Sequence, residues 1–201
     1  ACANVLKNNK LNISLAMLIT GDEEGIAING TTKVVNWIKK KKIKIDHCVV
    51  GEPTNPNHIG EMIKVGRRGS LSFSIEANGK SGHVAYPHLA NNPLTSLTNV
   101  CNKLNNLNLK LQAKNFPETN LEITSIDTGN TASNVIPSKC KAFINIRYNT
   151  RYDEKLLIKK IKNICSENTC SFKLKIISSN KPFYTKPDRF LSLLEKSIYK
   201  I

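Results

Sequence analysis

The chain has 201 residues, with 30 Lys and Arg against 15 Asp and Glu and a formal net charge of +15. At 40% hydrophobic and 22% charged it can bury a sizeable core, which excludes a disordered or collagen-like polymer. Its longest apolar run, residues 13–19 interrupted by Ser14, is far short of the roughly 20 residues a membrane-spanning helix needs, so no membrane partner is expected.

In chain order, the apolar run over 13–19 reads as a buried strand, and the turn Gly21-Asp22-Glu23-Glu24-Gly25 follows it. A helix is expected over 29–41, with Val34, Val35 and Ile38 on one face. It runs into Lys39 to Lys42 and Lys44, a cluster that suits a helix C-terminus. With few aromatics interleaved and no zinc-finger or helix-turn-helix signature, the cluster reads as a solvated face, and no nucleic-acid partner is expected. A second short strand over 47–50 would end at Gly51-Glu52-Pro53, placing Glu52 at the strand's C-terminal edge, where open α/β sheets do their chemistry.

From Gly69 the pattern changes to period two: Leu71, Phe73 and Ile75 alternate with Ser72, Ser74 and Glu76, as in an antiparallel strand with one face buried. Leu94, Leu97, Cys101 and Leu104 then keep helical spacing behind Pro93, which suits a first turn. Strands follow over 120–127 and 139–148, then a helix opened near 150–153 and carrying Leu157, Ile161, Ile164 and Cys165. A last strand alternates Phe172, Leu174 and Ile176 with lysines. That order, β-α-β-β-α-β, is the ferredoxin-like split unit. A helix over 190–201 closes the chain, with Leu191, Leu194 and Ile198 in register. The six cysteines form no C-x-x-C pair, and several occupy apolar positions, which suggests buried free thiols in a reducing cytoplasm.

Three groups of residues could carry chemistry. Asp22, Glu23 and Glu24 crowd three carboxylates into one turn, a cost unless a cation or proton relieves it. One glutamate can then bind a metal while its neighbour stays free as a base, and Glu52 could converge on the same edge. His83, in a glycine-flanked loop with Tyr86 and His88, can donate to an oxyanion. Arg67, Arg68 and Arg147 suit carboxylates in a bidentate way that lysine does not, with Ser70 beside them. Asn134 lies in a loop entering a strand.

Taken in order, GDEEG, VGEPT, GRRGS, GKSGHVAYPHLANNP and ASNVIP resemble the M20 metallopeptidases over essentially the whole chain. The resemblance implies a partial α/β, zinc-peptidase-like catalytic domain, 1–68 and 182–201. Around it the order would be interrupted by an inserted α+β ferredoxin-like dimerisation domain, 69–181. It implies Glu23 as general base, Glu24 and Glu52 as metal ligands, and His83 as the residue that crosses a homodimer interface to hold the oxyanion. Asn134 would likewise reach across to a substrate carboxylate, with Arg67, Arg68, Ser70, Tyr86 and Arg147 around the substrate. The implied cofactors are two Zn2+, or Co2+ in the second site. The implied reaction is hydrolysis of the succinyl amide of N-succinyl-LL-2,6-diaminopimelate to succinate and LL-2,6-diaminopimelate, in cytoplasmic lysine and diaminopimelate biosynthesis. Acetylornithine deacetylase, a dipeptidase and a non-catalytic dimerisation module are the alternatives.

The family's metal site also takes a histidine from an H-x-D motif, a bridging aspartate and a histidine near the C-terminus. No histidine precedes His47 or follows His88. Each zinc wants about three protein ligands, so these carboxylates alone cannot hold a metal pair. The chain is therefore expected to be the middle of a longer enzyme and inactive by itself.

Overall fold

The computed structural model describes residue 7 and residues 13–21, 28–168 and 171–198. The chain divides into two compact units, Ala1–Glu52 and Pro53–Ile201. In the first unit the expected helix forms as α1, Thr31–Lys40, with Lys39 and Lys40 in its last turn. The strands expected over 13–19 and 47–50 are not formed among the described residues. A strand exists only where its backbone finds a ladder partner. Neither segment has one among the described residues, and Ile19 and Val50 stand 86% and 72% exposed. Among the described residues of this unit no sheet is formed, and Glu52 lies on irregular, exposed backbone instead of a strand end.

The second unit is built on the split β-α-β pattern that the alternation predicts. Its strands and helices are β2 (Gly69–Asn78), α2 (Pro93–Asn105), β4 (Asn120–Asp127), β6 (Lys139–Tyr148), α3 (Glu154–Asn168) and β7 (Phe172–Asn180). The four strands pair antiparallel in the order β4-β6-β2-β7. Each helix begins at a side-chain cap: Asn92 Oδ1 accepts from Leu94 N (3.1 Å) for α2, and Asp153 Oδ1 accepts from Leu156 N (3.0 Å) for α3. Two short ladders flank the sheet. β1 (Gly66–Arg67) pairs with β8 (Phe183–Tyr184), and β3 (Gly82–His83) pairs with β5 (Val135–Ile136). A final helix, α4, covers Arg189–Ile198, with Asp188 Oδ1 accepting from Leu191 N.

One face of the sheet is the core. Leu71, Phe73, Ile75, Ile144 and Ile146 are sealed beneath Leu97, Val100 and Leu104 of α2 and Leu157 and Ile161 of α3. Full burial of each such side chain stabilises by about 1.5–3 kcal/mol. Cys101, Cys140 and Cys165 are buried free thiols in this core, as their apolar positions predict, whereas Cys48 is exposed. Cys2 and Cys170 lie outside the described residues.

Tyr148 locks the end of the sheet. Its ring is fully buried against Gly69, where an added Cβ would come within 2.6 Å of ring carbon Cε1. Its hydroxyl donates to Glu154 Oε2 (3.2 Å), an oxygen that also accepts from Ser179 Oγ (2.6 Å). The opposite face of the sheet is polar. There Asn145 Nδ2 donates to Ser72 Oγ (2.7 Å) and, at 3.4 Å, to Ser70 Oγ.

Candidate functional site

The residues singled out in the second unit fall into two groups, one at each end of the sheet. At the first end, Ser70 of β2 is the register partner of Arg147 on β6, and Arg147 also faces Asn120 on β4. Ser70 is buried, and Arg147 is exposed, its guanidinium making no hydrogen bond or ion pair among the described residues. Arg67 is exposed on β1. Arg68 is anchored: its Nη1 donates to the Glu118 carbonyl (2.6 Å) and to Asn120 Oδ1 (2.9 Å), which ties the start of β2 to the start of β4.

At the other end, the β3–β5 ladder sets His83 opposite Val135. Gly82 is required there because an added Cβ would meet Ala90 Cβ at 2.7 Å. Val84 N donates to the Asn134 carbonyl (3.0 Å), and Tyr86 N donates to the His83 carbonyl (2.9 Å). His83, Tyr86 and Asn134 are thus presented together from one hydrogen-bonded tip, all three exposed. The His83 and Tyr86 rings lie 6.1 Å apart, and His88 meets Tyr86 edge-on at 6.4 Å.

The distance between the two groups follows from the strand. Ser70 and Asn78 are the second and last residues of β2, and their register partners on β6 are Arg147 and Lys139. At about 3.3 Å per residue, that stretch of strand is about 26 Å long. The Ser70–Arg147 pair thus lies a full strand length from the end of β2 that leads into the His83–Asn134 tip. Two clefts in this unit, one lined by Leu104, Asn106 and Glu118, the other by Ile63, Tyr184 and Leu191, include none of Ser70, His83, Asn134 and Arg147.

Glu23 and Glu24 lie outside the described residues. Glu52 is exposed, and among the described residues no group of three or more His, Cys, Asp or Glu side chains could hold a metal ion. The described residues do not by themselves fit a metal pair, and what they can do chemically is bind, orient and donate hydrogen bonds. No helix among the described residues is long and apolar enough to cross a membrane.

Residue alternation along β6 puts Asn145 on the same face as Arg147, a placement that was legible in the sequence but not used for the site. Asn120 gave no such signal, because its role comes from the guanidinium of a residue 52 positions away.

Comparison with known proteins places this architecture. A peptidase dimerisation domain of the M20 class matches residues 65–170, which include the whole β2-to-α3 unit. The chain belongs to the M20 peptidase family. It is 48% identical to the succinyl-diaminopimelate desuccinylase of Pelagibacter ubique, over 98% of this chain and 52% of that protein. It is 44% identical to the desuccinylase of Ehrlichia chaffeensis, over 96% of this chain and 51% of that protein. The chain thus spans about half the length of the curated relatives it matches. Among solved structures, an aminobenzoyl-glutamate utilization protein from Klebsiella pneumoniae matches with a TM-score of 0.52 at 13% identity, over 68% of this chain and 37% of that one. A hydantoinase/carbamoylase-family amidase from Burkholderia multivorans matches with a TM-score of 0.51 at 16% identity, over 68% and 33%. These two likenesses concern the fold alone.

Proposed function

We propose that the chain is part of a metal-dependent amide hydrolase that releases succinate from N-succinyl-LL-2,6-diaminopimelate and works as a homodimer. The observation that carries the reading is the separation of the two residue groups along β2 and β6. A small substrate can meet both kinds of group only if the Ser70–Arg147 end belongs to one protomer and the His83–Asn134 end to its partner. The names of the relatives favour a succinyl over an acetyl substrate.

In this reading the chain has a domain pattern of 1–68, 69–181 and 182–201, with the middle segment forming the dimer. Arg67 and Arg147 bind substrate carboxylates as bidentate donors, Ser70 and Tyr86 add hydroxyl contacts, and Asn134 reaches a carboxylate from the partner side. Arg68 serves the same patch from its fixed place against Asn120. His83 donates a hydrogen bond to the oxygen that becomes negative when the amide carbon turns tetrahedral. Glu23 takes the proton of the attacking water, and Glu24 and Glu52 are the carboxylates this chain would contribute to a zinc pair, with cobalt also accepted in the second place. Free thiols at Cys48, Cys101, Cys140 and Cys165 favour a reducing, cytoplasmic setting.

The test is complementation between two inactive variants of the chain, expressed with the sequence that flanks it in its gene. Arg147→Ala and His83→Ala are each expected to abolish release of succinate. If the site is shared between protomers, a mixed dimer contains one intact site, so equal mixing restores about a quarter of wild-type activity. Mixtures that stay as inactive as their components would place both groups in one protomer's site and overturn the reading.

A further inference from the structure

His83 carries a detail that a shared site does not by itself require. The backbone N–H of Ala85 donates to His83 Nδ1 at 3.1 Å. A ring nitrogen that accepts a hydrogen bond carries no proton, so in the neutral ring the proton must sit on Nε2. The N–H of Ala85 is in turn aimed by the rigid tip around it, through Val84 N to the Asn134 carbonyl and Tyr86 N to the His83 carbonyl. Nε2 has no hydrogen-bond partner among the described residues, and the residue is exposed. The ring is thus gripped at one nitrogen and open at the other.

We infer that the Ala85 backbone N–H is a positioning group for His83, selecting the ring's Nε2–H tautomer and aiming Nε2–H away from the tip toward the oxygen that the reading above gives it. The inference rests on the hydrolase reading for the identity of that oxygen, but not for the tautomer. A histidine with Nδ1 protonated would set N–H against N–H at Ala85 and lose the clip. The arrangement presents a single preoriented donor, which costs no reorganisation when negative charge develops on the partner oxygen.

Two measurements test this. In the 201-residue chain labelled with 15N-histidine, at about pH 8.5 where ordinary imidazole is neutral, the ring nitrogens report the tautomer directly. His83 is assigned by the signal lost in His83→Gln. Exposed His58, which has no clip at Nδ1, is the internal standard. The expected result is an Nδ1-protonated fraction at His83 several-fold below that of His58, and equal fractions would overturn the clip. In the chain expressed with its flanking sequence, His83→Gln offers a neutral N–H near the Nε2 position and His83→Asn does not. The glutamine variant should keep kcat within about tenfold of wild type while the asparagine variant falls by about 10²–10³-fold, with KM little changed in both. Equal losses in the two variants would overturn the donor role. A confirmed tautomer in a protein that hydrolyses no succinylated amino acid would end the donor role with the hydrolase reading and leave the clip standing.

Discussion

The two units of the chain use similar apolar segments with opposite results. Leu71, Phe73 and Ile75 in β2 are completely buried, whereas Ile13, Met17 and Ile19 in the run over 13–19 are all exposed. Residue type does not explain the difference, since both segments are rich in large apolar side chains. β2 is flanked by β6 and β7 and covered by α2, and all of these are supplied within about a hundred residues of one another. The run over 13–19 has no ladder partner among the described residues. An apolar pattern states what a segment needs for burial, and neighbours decide whether the need is met.

That contrast can be broken most directly by truncating one side chain in each unit. Phe73→Ala should cost about 3–5 kcal/mol in urea unfolding, and Ile19→Ala should stay within about 0.5 kcal/mol. An equally large loss at Ile19 would mean the first segment is buried in solution, and the contrast would disappear. Gly69→Ala comes next, with an expected loss of about 1–3 kcal/mol, because its methyl group would drive into the Tyr148 ring.

The third effect is alkaline. Burial, followed by the nearby Glu154 carboxylate, pushes the Tyr148 phenol up to about 12 from an ordinary 10.0. A raised pKa in the folded state means that unfolding favours loss of the proton. The stabilising contribution is therefore complete below pH 10 and is lost as pH rises toward 12. Burial raises the Cys140 and Cys165 thiols to about 11 from 9.0, so their share is lost between pH 9 and pH 11. Stability measured by denaturant titration should fall progressively from pH 9, and Tyr148→Phe should flatten the slope between pH 11 and 12 and lessen it between pH 10 and 11, at a neutral-pH cost of about 1 kcal/mol. These groups all lie in the second unit, so the slope should also be present when the first unit carries Ile19→Ala.

The smallest effect on stability is expected at the exposed site residues. Asn134→Ala and Arg147→Ala should each change unfolding free energy by less than about 0.5 kcal/mol. A loss near that of Gly69→Ala would mark either residue as part of the framework and weaken its assignment to substrate.

Much of the second unit was legible from periodicity. The strand limits 120–127 and 139–148 and the burial of Leu97, Cys101 and Leu104 follow from spacing alone, because period two and period 3.6 each commit a face to the core. The two-residue ladders at 66–67 with 183–184 and at 82–83 with 135–136 were not legible, since two residues carry no period. The site divides in the same way. Histidine, arginine and asparagine in glycine-flanked loops announce their chemistry by type, but the register between β2 and β6 alone places Ser70 beside Arg147, and that between β3 and β5 sets His83 opposite Val135.

The sequence by itself determined which segments would be strands or helices in the second unit, which faces would be apolar, and which side chains could donate, accept or carry charge. The tertiary structure decided the rest. It paired Arg68 with Asn120, set the Tyr148 ring on Gly69, and aimed the Ala85 N–H at His83. Each of these depends on backbone or side-chain atoms brought to within a few ångströms by hydrogen-bond register and chain reversal, and neither residue type nor spacing encodes that proximity.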